Sequence, residues 1–330
     1  MRRALPALAA FAALAAPPCA SAAGDSPIAT GASASAGRNT TGATPALWHA
    51  QVDNDVAFGT DRWYTSGVKI YRSLPAESGA FLASFLRVPS ARPYRIDVGI
   101  IHEIYTGDGI ATAARADRPN AGRLLLSIAR HDLAPDLLAT WELDAGVAGP
   151  AARGRQVQSA IHHITPAPAT DWASQASDRV DVQLVGAWSR RFGPGMAPGA
   201  WVIHGGAVAG TLVAFGHAGI EWRSESPAQA PNPLLRFAAT PPLPRTARGL
   251  SFHAGASVRA VARNRLLDRR GDDPLPDAAR RRSVARLALG AAWYGDWGEV
   301  SLGLAQDSRE FEGQQAPHRF GSLTVSFPID

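Results

Sequence analysis

Alternation of apolar and polar residues, repeated along most of the chain, constrains the fold more than any other feature of the sequence. In one segment Val180, Val182 and Leu184 share a face, while Asp181 and Gln183 occupy the other. A period of two is typical of β-strands, and many such segments separated by Gly, Pro or polar residues indicate a sheet protein. The pattern predicts strands near 46–54, 65–73, 94–105, 122–131, 137–147, 180–191, 199–209, 211–224, 249–262, 283–294, 297–306 and 319–327.

The composition of the two faces favours a membrane barrel over a soluble sandwich. The apolar faces carry Leu, Val and Ala, whereas the polar faces hold charges such as Glu142, Asp144, Arg259 and Arg286. Tryptophans often lie near segment ends, as in the interfacial girdles of outer-membrane proteins. We therefore expect an all-β fold: a transmembrane antiparallel β-barrel of about twelve strands, closed so that no strand edge is unpaired in the membrane.

The connections between the predicted strands differ greatly in length. Long polar segments lie at 106–121, 148–179, 225–248 and 263–282. Long loops in membrane barrels are usually extracellular and often functional. We expect these four segments to be extracellular loops.

The N-terminal residues predict export to the outer membrane. A basic start at Arg2 and Arg3 precedes an apolar run that is too short to span a bilayer, and small residues follow it. We assign residues 1–22 to a signal peptide, 23–45 to a flexible leader rich in small residues, and 46–330 to the barrel domain.

Cysteine content and charge narrow the possible functions. Cys19 is the only cysteine and would leave with the signal, which excludes a cysteine nucleophile or cysteine metal site in the mature chain. The net charge is +5, but the arginines are scattered rather than clustered, so we expect no nucleic-acid partner. Phosphorylated lipid headgroups are better partners for such surface arginines.

The densest polar cluster follows the first predicted strand. Asp53, Asn54, Asp55 and Asp61 lie within nine residues. Oxygen ligands of this kind suit Ca²⁺, although Asp and Asn also favour tight turns. Asn54 falls on the apolar face of its strand, together with Val52. A polar group on a lipid-facing surface is costly and tends to be functional.

A second polar cluster, at 149–158, is followed by His162 and His163. A histidine is the usual general base near neutral pH, although a lone histidine is more often structural. The sequence has no Gly-x-Ser-x-Gly element, and nothing distinguishes Ser66 or Ser159 from the other serines. A hydrolase of this kind would use a histidine-activated water rather than a covalent serine intermediate.

Four motifs occur in order between residues 45 and 175. They are Asn54-Asp55 with 60–67, then 103–106, then 117–122, and finally 149–158 with His162 and Trp172. Together they resemble the motifs of the lipid A 3-O-deacylase family of outer-membrane proteins. The resemblance implies a twelve-stranded barrel that acts on lipid A of lipopolysaccharide.

The same resemblance implies a reaction and a set of site residues. The reaction is Ca²⁺-dependent hydrolysis of the ester that holds the 3′-linked acyloxyacyl chain of lipid A. The implied catalytic residues are Asn54, Asp55, Thr65 and His162. His162 would activate water and Asn54 would stabilise the oxyanion or order the metal site. Asp55 would hold the metal in part, and Thr65 would contribute an oxygen to the metal shell or position the water.

One position departs from the family pattern. A functional lysine of the best-known members falls on Thr112 in this chain. Arg115 or Arg118 is then the candidate substrate-binding residue, as a phosphate contact, although neither occupies the aligned position. The acyl position that is cleaved therefore stays open.

Two other functions fit the same sequence. One is an outer-membrane phospholipase acting on glycerophospholipids, which would share the barrel, the metal and the ester chemistry. The other is a non-catalytic barrel, such as a channel. In each case the expected partners are outer-membrane lipids, and the expected state is a monomer.

Overall fold

A computed structural model gives the fold of the chain. It describes residues 45–76, 92–108, 116–164, 170–192, 199–224, 237–239, 248–269, 271 and 277–328. Twelve strands form one closed barrel in which every strand pairs with its neighbours in sequence, and β1 pairs with β12. The strands are β1 Leu47–Asn54, β2 Trp63–Pro75, β3 Tyr94–Thr106, β4 Ala121–Ala134, β5 Leu137–Ala148, β6 Arg179–Phe192, β7 Ala200–Gly210, β8 Val213–Arg223, β9 Gly249–Asn264, β10 Ser283–Gly295, β11 Gly298–Asp307 and β12 His318–Pro328.

The antiparallel twelve-stranded barrel predicted from alternation is confirmed. Each predicted strand corresponds to one observed strand, with ends that differ by up to three residues. The barrel closes where Trp48 pairs with Phe327 and Asn54 pairs with Gly321. In the described part of the chain, no helix is long and apolar enough to cross a membrane.

Apolar and polar side chains are distributed between the outer and inner faces of the barrel wall as the sequence predicts. Leu126, Leu287 and Leu302 project outward and are between 59% and 66% exposed, as expected of a surface that contacts lipid. Inside the barrel, Arg123 forms ion pairs of 2.7 Å with both Glu103 and Asp181. Glu142, Asp144, Arg259 and Arg286 also face inward, among the hydrogen bonds and ion pairs of the polar interior.

The prediction that all four long connections are extracellular is wrong for one of them. Since the strands alternate in direction, the connection between β8 and β9 lies at the same end of the barrel as both termini. Its described residues 237–239 enter the lumen, where the Ala239 backbone N–H donates to Glu142 at 2.7 Å. The other long connections share the opposite end with Asn54, and we assign that end to the cell exterior.

The predicted loop at 148–179 contains a helix. A short 3₁₀ turn at Pro150–Ala152 leads into α1, which spans Gly154–Ile164. Two further 3₁₀ turns of the same length lie at Val56–Phe58 and Arg265–Leu267, also at the extracellular end. α1 forms one side of the site described next.

Candidate active site

Helix α1 packs against the outer wall of the barrel. It can approach closely because Gly122 on β4 faces Gly154 at the start of the helix: a Cβ added to Gly122 would lie 3.0 Å from the Gly154 nitrogen. His102 on β3 adds a contact of 2.9 Å from Nε2 to the Ala152 carbonyl oxygen. Ile104 is on the outward face of β3, yet it is fully buried beneath this cover.

This docking gives a structural prediction. Gly122→Val is expected to displace α1, because even its first added carbon is too close to helix backbone. The barrel should remain folded, while amide exchange in 154–164 becomes faster by on the order of tenfold. Hydrogen exchange followed by mass spectrometry measures this. Gly303→Ala is the matched control, since a Cβ at Gly303 has no neighbour closer than 3.7 Å. Unchanged exchange in the valine variant would contradict the docking described above.

A pocket of about 240 Å³ lies between α1 and the extracellular ends of β1 to β3. Its lining residues are Asn54, Asp55, Val56, Thr60, Asp61, Thr65, Ser66, Ile104, Gln158, Ile161 and His162. The four residues that the sequence nominated as catalytic therefore line one pocket. As the sequence predicts, Asn54 lies on the outward face of β1, next to Ser66 of β2. The pocket thus belongs to the outside of the wall, not to the lumen.

Asp55 is the most deeply buried carboxylate of the pocket, with 1% of its surface exposed. Its Oδ2 accepts hydrogen bonds from Thr60 Oγ1 at 2.7 Å and from the Arg62 backbone N–H at 2.9 Å. Its Oδ1 is also buried but accepts no hydrogen bond from the described residues. Burial raises the pKa of Asp55 to about 7, because a charged carboxylate is poorly solvated there. The Oδ1 atom is therefore a buried hydrogen-bond acceptor that has no donor among the described residues.

Asn54 and Thr65 lie beside Asp55 and are both held by local hydrogen bonds. Asn54 Oδ1 accepts from the Val56 backbone N–H at 2.7 Å, an Asx-type turn at the end of β1. An irregularity in β2 between Tyr64 and Ser66 redirects Thr65 out of the regular register. The Thr65 hydroxyl then lies 2.6 Å from the Thr106 hydroxyl on β3.

The loop that carries these residues contains strained backbone. Trp63 has a φ of 64°, which non-glycine residues rarely adopt, and only 1% of its surface is exposed. Its indole Nε1 donates to Asp117 at 2.8 Å. Such strain persists where surrounding contacts over-determine it, and it clusters at functional sites. Trp63 lies between Asp61 and Thr65 in the sequence, and both of these residues line the pocket.

His162 lies in the last turn of α1, and its Nε2 is 3.1 Å from Oδ2 of Asp61. Gln158, one turn earlier on the same helix face, donates to both Asp61 oxygens, and its own Oε1 accepts from Trp172 Nε1. The sequence placed Gln158 and Trp172 in motifs but gave them no role, and it counted Asp61 only among the oxygen groups that suit Ca²⁺. The spacing of Gln158 and His162, four residues apart, was the available signal that they share a face.

Of the remaining candidates that the structure describes, only Ser66 lines the pocket. Arg118 is 1% exposed, beneath the extracellular loops: its Nη2 donates to the Leu266 carbonyl at 3.3 Å, and its guanidinium lies over the Tyr105 ring. It does not line the pocket, and burial excludes the surface phosphate contact that we expected. Arg115 and Thr112 lie outside the described residues. Ser66 lines the pocket, whereas Ser159 is exposed on α1.

The fold and the site define an outer-membrane β-barrel with a pocket of polar and apolar side chains on its outer wall. A family model described as Outer membrane protein LpxR matches residues 8–329. The chain belongs to this family and is located in the outer membrane.

The chain is similar to several solved structures, of which the first below supports the fold. LpxR from Salmonella typhimurium is 18% identical, with a TM-score of 0.68 over 86% of this chain and 100% of that chain. The translocator domain of the autotransporter NalP from Neisseria meningitidis is 11% identical, with a TM-score of 0.43 over 88% of this chain and 90% of that chain. The β domain of the Bordetella autotransporter BrkA is 8% identical, with a TM-score of 0.44 over 87% of this chain and 100% of that chain. No curated protein matches the sequence.

Proposed function

We propose that this protein is a lipid A deacylase that hydrolyses the ester holding the 3′-linked acyloxyacyl chain, with His162 activating water and Ca²⁺ assisting. The observation that carries this proposal is the position of the pocket. It holds a histidine and a carboxylate with an open oxygen, and it lies on the wall that faces the membrane lipids. A lipid held in the outer leaflet can present an ester there without leaving the membrane.

The pocket fits a hard cation such as Ca²⁺. The buried Oδ1 of Asp55 has no hydrogen-bond donor among the described residues, and a cation would satisfy it. Asn54 and Thr65 supply neutral oxygens beside it. The described residues hold no group of three or more His, Cys, Asp or Glu side chains suited to a metal. The ion would therefore depend on Asp55 for charge and on amide, hydroxyl and water oxygens for the rest of its shell.

In the proposed ester hydrolysis, His162, Asn54 and Ca²⁺ each have a separate role. A water molecule gives a proton to His162 while its oxygen attacks the ester carbonyl carbon. Bound Ca²⁺ would supply Lewis-acid stabilisation of the negative charge that develops on the carbonyl oxygen. The Oδ1 of Asn54 is held by backbone, so its Nδ2 remains as a donor to the same oxygen. When the C–O bond breaks, His162 returns the proton to the departing sugar oxygen, which leaves a free acid and a hydroxyl.

The pocket also provides an apolar surface for an acyl chain. Val56, Ile104 and Ile161 line it beside the polar groups. Burial of these side chains against a hydrocarbon chain contributes about 25 cal/mol per Å² of apolar area removed from water. An ester at the junction of headgroup and acyl chain fits such a mixed lining.

Mass spectrometry of lipid A tests the proposal. Lipid A from cells that express the protein is expected to lack one acyloxyacyl unit that control cells retain. Purified protein should release the same acid from lipid A and leave glycerophospholipids intact. Cleavage of glycerophospholipids alone would replace the proposed function by a phospholipase. If neither lipid is cleaved with Ca²⁺ present, the protein is a non-catalytic barrel.

A further inference from the structure

We propose that Asp61 is a positioning residue for His162, and that Gln158 and Trp172 hold Asp61 in turn. This inference rests on the proposed function for its catalytic meaning, but its geometry stands by itself. Asp61 lies in the connection between β1 and β2, whereas His162 is on α1. Their contact therefore joins the barrel to the helix that covers it.

The contact has the geometry of an acid–imidazole pair. His162 Nε2 lies 3.1 Å from Asp61 Oδ2, and the side chains are only 17% and 22% exposed. A carboxylate can only accept, so it favours the neutral imidazole form that carries its proton on Nε2. The lone pair is then on Nδ1, where it can take a proton from water. When it does, the positive ring is next to a negative carboxylate.

Asp61 is itself held from the helix. Gln158 Nε2 donates to Oδ1 at 2.9 Å and to Oδ2 at 3.1 Å. The side-chain amide of Gln158 cannot exchange the positions of its oxygen and nitrogen without losing hydrogen bonds, because its Oε1 accepts from Trp172 Nε1 at 2.9 Å. Gln158 is 3% exposed, so water does not readily replace these bonds. A line of contacts thus runs from Trp172 through Gln158 and Asp61 to His162.

The two carboxylates of the pocket have different surroundings, which separates their roles. Both oxygens of Asp61 already have donors in Gln158, and Oδ2 also has His162. Asp55 keeps one buried oxygen with no donor among the described residues. A cation is therefore expected at Asp55, while Asp61 orients the base.

Asp61→Asn tests this assignment, since it keeps the size of the side chain and removes its charge. The kcat for deacylation is expected to fall roughly 10- to 100-fold while KM stays within about twofold. The Ca²⁺ concentration for half-maximal rate should not change. In a His162→Ala background the same substitution should have no further effect on the residual rate, because Asp61 acts through His162. A further loss in that background would overturn the proposal.

The ¹⁵N spectrum of the His162 ring gives a test that needs no activity. In the folded wild-type protein we expect the ring proton on Nε2. The ¹⁵N signal that disappears in His162→Gln is assigned to His162. Asp61→Asn should increase the form protonated on Nδ1. Trp172→Phe keeps an aromatic ring but removes the donor to Gln158, and it should cause a smaller change in the same direction.

The outcomes separate this inference from the proposed function. If the ring tautomer changes in Asp61→Asn but the wild-type protein does not cleave lipid A, the Asp61–His162 pair is retained and the deacylation reaction is rejected. An unchanged tautomer, or wild-type kcat in Asp61→Asn, would reject the positioning role even if lipid A is cleaved.

Discussion

Replacement of His162 by alanine is expected to lower the rate of lipid A deacylation by about 10³-fold, within the range that general bases contribute. The loss follows from the position of the ring, which lines the pocket beside Asp61 and has no second histidine near it in that lining. The rate of acid release from purified lipid A, followed by mass spectrometry, measures the effect.

His163→Ala is the matched control for this experiment. It changes the neighbouring residue of the same helix turn, but His163 is exposed and does not line the pocket. Its activity should equal that of the wild type. Both variants should run as folded barrels in heat-modifiability gels, since neither residue belongs to a strand. Wild-type activity in His162→Ala would reject the proposed mechanism.

Asp55→Asn is expected to have the second largest effect. The amide can still accept from Thr60 and Arg62, so the loop should keep its conformation. The negative charge is lost, however, and Asp55 is the main charge available to a cation at this position. The Ca²⁺ concentration for half-maximal rate should rise by at least about 100-fold, a larger loss than is usual when a residue that only orients a metal ligand is changed.

Titration of activity with Ca²⁺ after removal of metal by a chelator measures this shift. The wild-type enzyme should lose activity with the chelator and regain it with Ca²⁺. Asp296→Asn is a suitable control, because Asp296 lies in the β10–β11 turn at the other end of the barrel. Full activity of wild-type protein in the chelator would show that the buried Asp55 oxygen serves another purpose.

Much of the fold could be predicted from sequence because β-strands produce an alternation of apolar and polar residues with a period of two. Each strand needs only that residues two apart share a face, and Val180 to Leu184 display this without any distant partner. The same property placed Asn54 on the lipid side of β1, which agrees with the exposure of Val52 two residues earlier on the same strand. Helix α1 was missed, although Val157, Ile161 and Ile164 have helical spacing, because polar residues and Gly154 made the segment resemble a loop.

The site could be predicted only in part. Asn54, Asp55 and Thr65 are close in sequence, and motif resemblance added His162. The contact between Asp61 and His162 depends on how a helix from one connection folds back onto another, and no local pattern encodes that. Arg118 shows the opposite error: an arginine in a loop suggested a surface contact, but its guanidinium is buried over Tyr105.

The location of the pocket on the outer wall has a kinetic consequence. A substrate that reaches Asn54 and His162 from the side arrives by lateral diffusion within the leaflet, so encounters occur in two dimensions. For the proposed deacylase, the relevant concentration is then the mole fraction of lipid A among its neighbours, not its amount per volume of solution. Dispersing lipid A among inert lipids is expected to slow turnover even when its bulk concentration is constant, and tight packing of the leaflet would then also lower the rate.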